Sequence, residues 1–202
     1  VYTRADQNSP HVELADQSIL IGDGPILDSY LSIPKIINAA LASNVEAIHP
    51  GYGFLSENAE FAEACEKNGI IFVGPKPKSI QIMGNKATAK KTVSAAGFQC
   101  IPGCELNKRT SSEISLLGKD IGYPLMIKAS SGGGGKGMRL VNREQELHKE
   151  LKIARAEALS SFGSHEIIFE RAITDAKHVE IQIFGDTSGN VIHLGERECS
   201  IQ

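Results

Sequence analysis

The stretch KASSGGGGKGMR, residues 128–139, places five glycines and two lysines in twelve positions. Glycine loses more backbone freedom on folding than any other residue, so a run of it makes a poor interior for a helix or a strand. The run must interrupt its surroundings and present bare backbone to something. Three glycine designs compete. A P-loop needs Gly, four residues, then Gly-Lys-Ser/Thr. Here Gly137 follows Lys136, and Ser130 stands five before Gly135, so that pattern fails. Gly132, Gly134 and Gly137 formally meet the dinucleotide-binding spacing, but that design needs a helix directly after the loop. The residues directly after it are MRLV, which read as a strand. Strand, glycine loop, strand remains: a flap whose N–H groups approach phosphates, with Lys128 on the first strand in reach of one.

The chain on either side divides into two styles. SILIG, EAIHPGYG and IIFVGP read as strands, separated by helices over SIPKIINAALASN and SENAEFAEACEKNG. Ser32 and Ser56 are the expected N-caps, and Gly69 closes the second helix. This alternation is the mark of a parallel sheet with crossover helices. A helix capped by Asn85 comes next, ending near Gly97. From about residue 100 the pattern becomes α+β, with strands over GYPLMIKAS, GMRLV, EIIFERAI, KHVEIQIFGD and NVIHLGERE. A helix over 142–163 carries Leu147, Leu151, Ala154 and Ala158 on one face. DTSGN is a hairpin turn.

Net charge is −3 and the lysines are dispersed, which argues against nucleic acid. Cys65, Cys100, Cys104 and Cys199 are widely spaced and complete no zinc pattern, so reduced thiols in a cytosol-like compartment are expected. No apolar run reaches the ~18 residues of a membrane span. VYTRAD opens as though inside a strand and ECSIQ stops without a tail, so both ends are expected to be cut from something longer.

IKASSGGGGKGMR, with AIHPGYGFLSEN, IFVGP, MGNK, KHVEIQIFGD and ERECSIQ, resembles the biotin carboxylase component of biotin-dependent carboxylases, a member of the ATP-grasp superfamily. The resemblance runs along the whole chain, in order. It implies an α/β fold: a Rossmann-like parallel-sheet N-terminal domain (1–73) lacking its first strand and helix, and a helical linker (74–99). An α+β ATP-grasp lid with the glycine flap (100–172) and the start of the base domain (173–202) complete the division. The missing strand would leave an unpaired sheet edge.

The implied reaction uses ATP, Mg2+ and bicarbonate, through carboxyphosphate, to carboxylate N1 of biotin on a carrier domain, as in acyl-CoA carboxylases of the methylcrotonyl or propionyl kind. By the same resemblance Lys86 and Lys128 contact phosphates, and Gly134 and Gly135 lie over them. Met138 packs beside adenine, while Glu170, Arg171 and Ile173 form the adenine hinge. His178 and Gln202 are further nucleotide contacts, and Tyr52 lines the biotin pocket. His49 is read as structural. The family's metal ligands and catalytic residues have no counterpart in this chain. The isolated chain is therefore expected to be non-catalytic, and no residue in it is assigned as a metal ligand or as catalytic. Partners implied are the carrier domain, a carboxyltransferase and a second copy in a homodimer; the location implied is cytoplasmic, or the mitochondrial matrix in a eukaryote. A carbamoyl-phosphate-synthase-like ATP-grasp ligase and a non-catalytic binding or assembly module are the competing readings.

Overall fold

The computed structural model describes residues 1–106, 109–131 and 136–201. The chain forms two compact units: Val1–Cys100 together with Ser130 and Ser131, and Ile101–Ala129 with the chain from Lys136 onward.

The first unit runs β1 (Tyr2–Thr3), α1 (Pro10–Glu13), β2 (Leu20–Gly22), α2 (Ile33–Ala42), β3 (Ala47–Ile48), α3 (Ala59–Lys67), β4 (Ile71–Phe72), α4 (Pro77–Gly84) and α5 (Lys86–Ala95). The parallel pairing expected from the strand–helix alternation is present, divided into two ladders: β1 with β2, and β3 with β4. A groove of about 300 Å3 lies in this unit, lined by Val1, Ile19, Ile36, Ala39, Val45 and Ile48 among others. The core is Ile37, Ala40, Leu55, Phe61, Cys65 and Ile70. Phe61 meets Phe72 edge-on at 5.9 Å between ring centroids, a geometry favoured by the ring quadrupoles.

Two caps differ from the sequence reading. Asn58, not Ser56, caps α3, its Oδ1 accepting the Phe61 N–H at 2.8 Å. The chain around Ser56 is still turning, its N–H donating to the Gly53 carbonyl at 2.9 Å, so the helix starts later than Ser56 would place it. Ser32 occupies the N-cap of α2 but makes no side-chain cap bond.

The second unit comprises β5 (Gly103–Glu105), α6 (Ser111–Ile121), β6 (Leu125–Ala129), β7 (Arg139–Val141), α7 (Leu147–Phe162), β8 (Ile167–Arg171), β9 (Val179–Gly185) and β10 (Val191–Glu198). Its main sheet has the order β5-β8-β6-β7, antiparallel throughout. Leu125, Ile127, Phe169, Val141 and Leu147 are fully buried, and α7 lays Leu147, Leu151, Ala154 and Ala158 into the same core. α6 has no counterpart in the sequence reading. It opens with a capping box, the Thr110 hydroxyl accepting the Glu113 N–H while the Glu113 carboxylate accepts the Thr110 N–H, which satisfies two donors the helix start would leave unpaired. β9 and β10 form a separate hairpin, closed by Asp186, whose carboxylate accepts the Ser188 and Asn190 N–H groups.

Candidate nucleotide site

The central strand of the second unit has two faces. Leu125, Ile127 and Ala129 of β6 point into the core, and the alternate residues Met126 and Lys128 point the other way. Across the ladder Met126 stands opposite Glu170 and Lys128 opposite Ile168. Lys128 and Glu170 are therefore diagonal neighbours on one face, within reach for long side chains. Lys128 Nζ lies 2.6 Å from Glu170 Oε2, the side chains 23% and 8% exposed. A carboxylate so withdrawn from water loses hydration, and the ammonium offsets that loss.

Leu140 of β7 pairs with Met126, so Met138, two residues earlier, continues the same face. It is 40% exposed. One sheet face thus assembles an ammonium, a carboxylate and an uncovered polarisable thioether. An ammonium suits phosphate oxygens, and a thioether suits the face of a flat ring. The residues fit an adenine nucleotide on these grounds. Glu105, opposite Ile168 on β5, shares this face and is absent from the sequence reading; its signal is the register of a three-residue strand.

The residues expected to form the adenine hinge come next along the chain. The Arg171 N–H donates to the Pro102 carbonyl at 2.9 Å and the Ala172 N–H to the Pro124 carbonyl at 3.1 Å, which ties the end of β8 down on both sides. Ile173 is exposed. His178 is held by its backbone, its N–H donating to Ser200 Oγ at 2.9 Å and its carbonyl accepting from the Cys199 N–H at 2.7 Å. Its ring is exposed.

Gly137 closes the glycine stretch at φ +69°, where a side chain is strained. A Cβ there would meet Ala129 Cβ at 3.1 Å, and the Gly137 carbonyl accepts the Ala129 N–H at 3.2 Å. Gly134, Gly135 and Gln202 lie outside the described residues.

In the first unit, Lys86 is the first residue of α5 and is half-buried. Tyr52 is 99% exposed, so its ring does not pack beneath its own loop. His49 shapes that loop, its Nδ1 accepting the Gly51 N–H at 3.0 Å. Among the described residues, no group of three or more His, Cys, Asp and Glu side chains is placed to hold a metal ion, and no helix is long and apolar enough to cross a membrane.

The class is defined by family matches. Residues 85–202, more than half of the chain, match the family described as the carbamoyl-phosphate synthase L chain, ATP binding domain. Residues 1–80 match the biotin carboxylase N-terminal domain. With both domains in this order, the chain belongs to the biotin carboxylase family. A biotin carboxylase from Nostoc sp. is 52% identical over all 202 residues, which are 45% of its length. The mitochondrial methylcrotonoyl-CoA carboxylase subunit alpha of Dictyostelium discoideum is 48% identical over 202 residues, 29% of its length. The crystal structure of the biotin carboxylase domain dimer of Hydrogenobacter thermophilus 2-oxoglutarate carboxylase, in complex with MgADP, ADP and bicarbonate, superposes with a TM-score of 0.94. That match has 46% identity and covers 100% of this chain and 44% of that one. The chain spans less than half the length of each of these relatives.

Proposed function

We propose that this chain is the ATP-binding portion of a biotin carboxylase, a ligase that uses ATP and bicarbonate to carboxylate biotin on a carrier domain. The observation that carries the reading is the Lys128–Glu170 pair, with Lys128 on the strand that runs into the glycine stretch and Glu170 on the strand paired with it. In this reading Lys86 and Lys128 contact phosphates, with Gly134 and Gly135 above them. Met138, Glu170, Arg171 and Ile173 hold adenine, His178 and Gln202 touch the nucleotide, and Tyr52 faces biotin. Residues 1–73, 74–99, 100–172 and 173–202 are its N-terminal domain, linker, lid and base.

A cation placed at each phosphate withdraws negative charge that would otherwise repel a nucleophile. Mg2+ supplies further neutralisation when bound, and the chain's own residues are assigned no part in ligating it. The carrier domain, a carboxyltransferase and a second copy of the chain are the proposed partners. An acyl-CoA carboxylase is the proposed setting, in the cytoplasm or the mitochondrial matrix. Support comes from the names of the relatives, which include biotin carboxylases and methylcrotonoyl-CoA carboxylase subunits.

The test is ADP release with bicarbonate and Mg2+, with and without free biotin, by the protein that carries these residues. Stimulation by biotin is the expected result. ADP release indifferent to biotin would move the chain to the carbamoyl-phosphate-synthase-like reading, and no ADP release would favour a binding module.

A further inference from the structure

α4 ends at Gly84 and α5 begins at Lys86, so a single residue separates two helices. Asn85 stands between them in an extended conformation, φ −104° and ψ 111°. Interrupting a helix leaves N–H groups at the new start without intrahelical partners, so the break needs a compensating return. The return is a one-residue strand. Asn85 makes an isolated antiparallel bridge with Ser131, and the N–H of Lys86 donates to the carbonyl of Ser130 at 3.0 Å. The Asn85 side chain reinforces the junction: its Oδ1 accepts the Thr88 N–H at 2.9 Å, capping α5, and the Ser130 hydroxyl at 3.4 Å. Ser130 is 3% exposed. Contacts group Ser130 and Ser131 with the first unit, although β6, which leads straight into them, belongs to the second.

We infer that Asn85 is a positioning residue, latching the two serines that open the glycine stretch to the first turn of the helix that carries Lys86. The inference rests on the nucleotide reading above, in which Lys86 and the glycine stretch serve the same phosphates. Groups ordered separately at the moment of binding each cost affinity. The latch orders Lys86 and the entry to the glycine stretch together, at folding, and so removes part of that cost from binding. Lys86 is thereby given two roles in two different atoms: its ammonium toward phosphate, and its backbone N–H toward Ser130.

A proline separates the two. Proline is tolerated at the first position of a helix, where its missing N–H has no intrahelical partner, and the extended Asn85 suits the residue before it. Lys86→Ala removes the ammonium alone; Lys86→Pro removes the ammonium and the bond to Ser130. Without nucleotide, amide exchange over residues 128–131 is compared between the two variants, so that whatever the ammonium contributes cancels. In Lys86→Pro it is expected to be faster than in Lys86→Ala by roughly two- to tenfold, the range for one net backbone hydrogen bond. MgATP affinity is expected to fall further in Lys86→Pro than in Lys86→Ala, by a similar factor.

Equal exchange in the two variants overturns the latch. Faster exchange with equal MgATP affinity overturns the positioning role and leaves a structural junction. Absence of MgATP binding by the wild-type protein that carries these residues overturns the nucleotide reading instead, while the exchange comparison still decides the latch. A second pair keeps Lys86 intact: Asn85→Ala is expected to speed exchange over 128–131, and Asn85→Asp, which retains the accepting oxygen, to restore it. Failure of Asp to restore it counts against the latch.

Discussion

In the first unit the strands run in parallel, two by two, with two or three residues in each; in the second, four antiparallel strands share one sheet backed by α6 and α7. The difference is one of how pairing is secured. Antiparallel neighbours exchange hydrogen bonds that run straight across the ladder, whereas parallel neighbours exchange slanted ones and pair slightly less stably per residue. The second unit accordingly carries Lys128 and Glu170 on its central strands, at positions set by register. The first carries Tyr52 on a loop beyond a two-residue strand. Rigid sheet positions suit contacts that must meet a phosphate at one distance, and a loop suits a contact that covers a ligand.

The largest expected effect separates the two cores. Phe169 and Phe61 are both buried, and truncating either to alanine is expected to cost about 3–5 kcal/mol. The second unit's larger apolar cluster and continuous sheet should leave it folded after that loss. The first, with short ladders, should open. Amide exchange reads this directly: in Phe169→Ala, Leu125–Ala129 remain protected, while in Phe61→Ala, Ile70 and Ile71 exchange at the unfolded rate. The opposite order would break the comparison.

A glycine makes the next test. Gly118 sits on α6 where an added Cβ would lie 2.7 Å from the Tyr123 hydroxyl and 3.0 Å from Leu147 Cδ2. Tyr123 OH is itself buried, and burial pushes its ionisation upward. Gly118→Ala is therefore expected to cost about 1–3 kcal/mol by overpacking, despite alanine's higher helix propensity. A stabilised variant in chemical denaturation would show that the ring and Leu147 yield easily and that this core is looser than its burial suggests.

Helix caps sharpen the comparison at a smaller scale. Asn58→Ala and Thr110→Ala are each expected to cost about 1 kcal/mol, and Ser56→Ala within about 0.5 kcal/mol. The capping box adds a pH signature. Hydrogen bonds from the Thr110 N–H, and from its hydroxyl, hold the Glu113 carboxyl below its ordinary 4.5. A carboxyl depressed in the folded state stabilises above its unfolded value and loses that contribution as pH falls through its folded value. Acid should therefore loosen the start of α6, as followed by the Glu113 titration; α3, capped by the neutral Asn58 amide, has no such carboxylate in its cap.

The same caps show where reading the sequence worked. The α7 face is legible because Leu147, Leu151, Ala154 and Ala158 repeat at the helical period, and all four are buried. Asn85 is legible as a cap, but its bridge to Ser131 is not, since no local pattern announces a bond between residues so far apart. Ser56 and Asn58 are both good cap formers two residues apart, and only the turn at Gly53 decides between them. α6 does carry a readable signal, the Thr-x-x-Glu of TSSE, and β5 is too short to stand out. Lys128 announces itself beside the glycines. Glu170 and Met138 are reached through family resemblance, because the shared face that unites them depends on register across three strands.

Tyr52 should give the smallest effect on stability, and for that reason bears most directly on function. Gly51 and Gly53, on either side of it, have φ of +67° and +71°, and the loop is pinned by the His49 and Gly53 hydrogen bonds rather than by the ring. Gly51→Ala should therefore cost about 1–2 kcal/mol, the penalty for a side chain in the left-handed region. Tyr52→Ala should stay within about 0.5 kcal/mol. If the ring faces biotin, the same Tyr52→Ala change raises the biotin KM for ADP release in the protein that carries these residues. A loss of more than about 1 kcal/mol in Tyr52→Ala would show that the ring has a packing partner. An unchanged biotin KM would remove Tyr52 from the site while leaving the Lys128–Glu170 face untouched, because Tyr52 stands on a loop of the first unit and the pair on the sheet of the second.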